Sequence, residues 1–80
     1  MKYMDPENDR YRFYVRKCMN GYALQVLVVT SGENIPLTPA VAGQLQISIP
    51  SGYRVQCCTY EAATQVLADT AQLNNWVYVK

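Results

Sequence analysis

Eighty residues carrying a net charge of +1, half of them apolar and 16 % charged, make a chain that can bury a core, though only a small one. The apolar fraction excludes wholesale disorder, and the near-neutral balance names no partner by itself. Histidine is absent, which removes the commonest general base together with the Ser-His and Cys-His nucleophilic arrangements.

Residues 1–9 carry Lys2 against Asp5, Glu7 and Asp9, and Asp5-Pro6 followed by Glu-Asn-Asp offers turn chemistry with little to bury. A weakly ordered amino-terminal arm is expected there. The segment has no apolar core of the signal-peptide kind, and no run approaches membrane-spanning length, so a cytoplasmic chain with Cys18, Cys57 and Cys58 reduced is the expectation.

Arg10 to Thr30 is the organising stretch. Two β-rich runs flank Asn20-Gly21, a pair suited to a two-residue turn that needs positive φ at both central positions. Turning there sets Met19 opposite Tyr22, Lys17 opposite Leu24, Val15 opposite Val26, Phe13 opposite Val28 and Tyr11 opposite Thr30 on a core face. The other face then pairs Arg12 with Val29, Tyr14 with Leu27, Arg16 with Gln25 and Cys18 with Ala23. The second strand is apolar on both faces through Val26-Leu27-Val28-Val29, as in a strand packed on both sides.

Ser31-Gly32-Glu33-Asn34 reads as a loop. Thr38 then caps a short helix with Pro39 in its first turn, and Gly43 limits its length. Leu45, Ile47 and Ile49 alternate with polar residues, which predicts a strand over residues 44–49. The competing reading extends the helix through Gln46. Tyr53, Val55 and Cys57 alternate likewise, so these two runs are expected to form a second, looser hairpin. Thr59 caps the one substantial helix, Tyr60 to Leu73 or Asn74, with Ala63, Val66, Leu67, Thr70, Ala71 and Asn74 along one stripe and Glu61 in the first turn. Trp76-Val77-Tyr78-Val79 closes the series as a strand.

The expected architecture is one α+β domain over residues 1–80, a two-layer sandwich with the main helix across one face of a mostly antiparallel sheet of four or five strands. If the final strand shares a sheet with the strand ending at Cys57, a crossover through the helix makes the two parallel. One helix cannot cover such a sheet, and the uncovered face is the expected contact surface.

The chain holds no phosphate loop, dinucleotide fingerprint or calcium loop, and three cysteines without Cys-x-x-Cys spacing make a poor zinc site. No cofactor or metal is expected. Cys57-Cys58 precedes a helix amino terminus, where a thiolate gains from the dipole, but no base accompanies it. The remaining constellation is Arg10, Arg12, Tyr14 and Arg16, alternating along one strand face with Leu27 beside them. Such a face serves an acidic protein surface, for which Arg and Tyr are favoured anchors, or nucleic acid through phosphate pairing and base stacking. It also fits a solvated face neutralised by the acidic leader.

In size, in lack of catalytic groups and in its compact α+β pattern, the chain resembles the small orphan proteins of phages and mobile elements that act by sticking to a host complex. No motif carries that resemblance, and it assigns no residue roles. It implies a non-enzymatic interaction module of the inhibitor or regulator kind, with self-association among its expected partners and small nucleic-acid binding as the alternative.

Overall fold

The computed structural model describes residues 2–79. Their elements run β1 (Lys2–Asp5), β2 (Asn8–Cys18), β3 (Gly21–Val28), β4 (Glu33–Pro36), α1 (Pro39–Gln44), β5 (Gln56–Cys57), α2 (Tyr60–Asn74) and β6 (Val77–Val79). The six strands form one antiparallel sheet ordered β4-β3-β2-β1-β6, with β5 on the same edge of β3 as β4 but nearer the hairpin turn. Following the antiparallel pairs across the sheet makes β5 and β6 run the same way, as the crossover argument requires.

The central hairpin turns one residue earlier than Asn20-Gly21 predicts, which slips the register by two. Cys18 pairs with Gly21, Lys17 with Tyr22, Val15 with Leu24, Phe13 with Val26 and Tyr11 with Val28, so Met19-Asn20 form the loop. Neither loop residue takes a positive φ; Gly21 does, at 137°. The glycine is needed inside the strand, where the Cys57 backbone comes too close for a side chain. Because side chains alternate with period two, a two-residue slip changes every partner and no face.

The leader is a correction to the expected arm. Lys2 pairs with Tyr14 and Tyr3 with Phe13, and β1 is flanked on its other side by β6. Residues 8 and 9 already belong to β2. A register shift between Tyr3 and Asp5 absorbs the turn, and Asp5 Oδ1 accepts from the Glu7 N–H at 2.9 Å. The part of that expectation falling on Met1 lies outside the described residues.

Residues 44–49 are not a strand, and no second hairpin forms. Gln46 takes a left-handed φ of 57°, while the N–H groups of Gln46 and Ile47 return to the carbonyls of Gly43 and Ala42. That arrangement ends α1 and sends the chain off as coil. Leu45, Ile47, Ile49 and Tyr53 still pack against the core, so the alternation described burial correctly without a ladder behind it. Only Gln56 and Cys57 of the following run pair, with Ala23 and Tyr22.

The core lies on one side of the sheet. Phe13, Leu24 and Val26 meet Leu37, Ala42, Ala63, Leu67, Ala71 and Trp76, and Phe13 stacks on the Trp76 indole at 3.8 Å between centroids and 5° between planes. The small residues Ala63 and Ala71 let α2 lie close to the strands. Thr70, fully buried, meets its polar need within the helix by donating to the Val66 carbonyl at 2.7 Å. Thr59 accepts from the Ala62 N–H at the start of α2, and Asn75, in the left-handed conformation, ends it. Asn74 does more than stop the helix. Its amide accepts from the Ser48 N–H at 2.9 Å and donates to the Ser48 and Thr70 carbonyls at 2.7 and 2.8 Å, tying the coil to the end of α2.

Candidate functional site: the open face of the sheet

Strand parity and register place Lys2 and Met4 of β1, the even-numbered residues of β2, Ala23, Gln25 and Leu27 of β3, Asn34 and Pro36 of β4, Gln56 of β5, and Val77 and Val79 of β6 on the face away from the core. The packed helices and coil belong to the opposite side. Beyond the register shift Asp5 lies opposite Asn8, which puts one carboxylate at the turn end of this face; the positions from Lys2 and Met4 across to β4 hold none.

The structure brings Arg12, Tyr14, Arg16 and Leu27 together here, with partners moved by the slip: Arg12 lies opposite Leu27, Tyr14 opposite Gln25 and Arg16 opposite Ala23. Ala23 and Gln25 are buried although they face outward, since each is flanked in register on both sides, by Arg16 and Gln56 for the first and by Tyr14 and Pro36 for the second. Around them Leu27, Met4 and Val79 are half-buried and Val77 is exposed.

The cations differ in how they are held. The Arg12 guanidinium curls back along its own strand, donating through Nη1 to the carbonyls of Asp9 at 2.7 Å and Tyr11 at 3.0 Å. Arg10 is drawn away from the cluster, its Nε donating to Asn8 Oδ1 at 3.1 Å and its guanidinium carbon 5.6 Å from the Tyr11 ring. Arg16 stands exposed. The Tyr14 hydroxyl donates to Asn34 Oδ1 across β3, and the Lys2 ammonium sits 5.6 Å over the Tyr14 ring. Tyr14, the one aromatic residue at the open-face positions, is therefore occupied at its tip and on one ring face.

Lys2, Met4 and Asn34 join the face although their segments read in the sequence as an arm and a loop. The available signal was the alternation Lys2-Tyr3-Met4, whose middle residue goes to the core side.

The other candidate chemistry does not assemble. Cys57 is buried on the core face, Cys58 is exposed just before the cap of α2, and Cys18 is half-buried at the hairpin turn. Among the described residues no three His, Cys, Asp or Glu side chains gather as a metal site would require. A cleft of about 560 Å³ opens between Ile49, Pro50 and Ser51 of the coil and Asp69, Gln72 and Leu73 of α2. Its one carboxylate, Asp69, accepts from the Gln65 amide at 2.9 Å. No helix among the described residues is long and apolar enough to cross a membrane.

Comparison of the chain with protein-family models, with curated proteins and with solved structures returns no match.

Proposed function

We propose that the chain is a non-enzymatic interaction module, of the inhibitor or regulator kind, that binds an acidic protein surface through the open face of its sheet. One observation supports the reading: among the described residues no helix or coil covers this sheet face, on which Leu27, Met4, Val77 and Val79 are interspersed among Lys2, Arg12 and Arg16, with Asp5 the one carboxylate at its turn end. Apolar groups of this kind supply contact area, and the cations select a partner of opposite sign.

Nucleic acid is the second reading, and Tyr14 speaks against it. A single-strand binder stacks bases on free aromatic faces, whereas here the one ring on the face lies under Lys2 with its hydroxyl bound to Asn34.

The test is affinity capture from the source cell followed by native mass measurement, repeated with Arg12→Glu and Arg16→Glu combined. The expected result is a specific protein complex that the double variant loses at least tenfold. Wild-type binding by the double variant would exclude this face. Capture of DNA or RNA instead, with affinity falling steeply as salt rises, would install the second reading.

A further inference from the structure

The two edges of the sheet are built differently. The β4 edge carries Glu33 and Pro36, a charge and a residue lacking an N–H, both of which discourage an added strand. The β6 edge carries Val77, Tyr78 and Val79, with neither charge nor proline, and Val77 and Tyr78 are 43 % and 56 % exposed. Its inner side is satisfied by β1 and, among the described residues, no strand pairs with its other side, which leaves the outward peptide groups of a β-branched, aromatic strand open to pairing.

The rows that end on β6 are complementary to themselves. Phe13 pairs with Tyr3 and Tyr3 with Tyr78, the two tyrosines meeting edge to face at 5.8 Å. We infer that β6 pairs antiparallel with β6 of a second copy about a two-fold axis at Tyr78, joining the two sheets into one. In that register Tyr78 faces its own counterpart, and Val77 of each copy faces Val79 of the other. The aromatic row then runs unbroken from Phe13 of one copy to Phe13 of the other, and no like charges meet at the three paired positions. The occupant is a second copy because the pattern of β6 is symmetric about its middle residue, so one surface matches itself. Pairing over three residues buries little area, and the dimer is accordingly weak and concentration-dependent. This inference does not depend on the open-face reading: it uses the edge, and the partner face remains uncovered on both copies.

Sedimentation of the full chain tests it. The mass should rise from 9.1 kDa toward twice that value as concentration increases through the range of ~10 µM to 1 mM, an affinity scale fitting a small interface, and Tyr78→Lys should hold it at the monomer. A second measurement guards against a variant that fails to fold. With Cys58 replaced by Ser, oxidation by copper phenanthroline should cross-link Tyr78→Cys chains to one another, and a mixture of Val77→Cys with Val79→Cys chains likewise. Val77→Cys chains alone should cross-link at least tenfold more slowly, because their thiols are diagonal to each other. A wild-type mass fixed at the monomer throughout, or equal cross-linking of Val77→Cys alone and Tyr78→Cys, would overturn the inference.

Discussion

Gly21 and Cys57 meet backbone to backbone: a Cβ on residue 21 would collide with the Cys57 carbonyl oxygen and would lie 3.2 Å from its carbonyl carbon and 3.3 Å from the Cys58 Cα. This contact joins the central hairpin to β5 and, through Thr59, to the start of α2. It also accounts for the early turn, since a glycine used in the turn itself could not be the residue pressed against β5.

Gly21→Ala should therefore be among the most destabilising substitutions in the chain. It combines a φ of 137° with a backbone clash that no rotamer relieves, and a loss of at least ~2 kcal/mol is expected. Asn20→Ala, at a position without positive φ, should change stability by less than ~0.5 kcal/mol. Urea unfolding of the two variants checks both values. Equal losses would restore an Asn20-Gly21 turn.

Asn74→Ala should free the coil. The side chain makes two hydrogen bonds to the Ser48 backbone and one to the Thr70 carbonyl, and losing them should cost ~1–3 kcal/mol. Cleavage by a protease of broad specificity should move to residues 46–52 before the rest of the fold yields. Limited proteolysis followed by mass determination reads the site. Cleavage elsewhere, with residues 46–52 intact, would show that other contacts hold the segment.

Tyr53 makes stability sensitive to alkali. Its hydroxyl donates to the Leu37 carbonyl at 2.6 Å, and burial, with the Cys57 charge second, raises its pKa above the ordinary 10.0. The folded state thus holds the proton more tightly than the unfolded chain. Its contribution is complete below pH 10 and is lost as pH rises through that value and beyond. Tyr53→Phe should cost ~1 kcal/mol at neutral pH through the missing hydrogen bond, yet show a shallower decline above pH 10. Unfolding curves at matched pH values compare the slopes; parallel declines would remove Tyr53 from the account.

Local periodicity made much of this fold legible, and long-range packing decided the rest. Parity along Tyr11 to Val15 and Tyr22 to Val26 put Phe13, Leu24 and Val26 in the core and Arg12, Tyr14 and Arg16 outside, and that assignment survives the slip because both registers share it. The stripe of α2 and the caps at Thr38 and Thr59 follow from nearest-neighbour chemistry and are found in place. Leu45, Ile47 and Ile49 show the limit, because alternating burial needs only a surface to lie on and not a partner strand. Glu33 to Pro36 shows the converse, a strand whose polar residues and proline suit an edge and so resemble a loop. Lys2 to Asp5 offers only the brief alternation Lys2-Tyr3-Met4, and what makes it a strand is pairing with β2 and with β6, which is remote from it in the sequence. Arg10 and Arg12 are turned by local hydrogen bonds that residue spacing does not reveal.

The pairing of β1 with β6 governs how the chain must be made. The first strand can join β2 as soon as the hairpin closes, but Tyr3 and Met4 keep one side unpaired until Tyr78 and Val77 arrive. Contacts of such wide sequence separation form late. A nascent chain emerging from the ribosome therefore presents a sticky, half-finished ribbon until Val77 and Tyr78 have been synthesised, and fragments stopped before Trp76 should be chaperone clients rather than folded proteins.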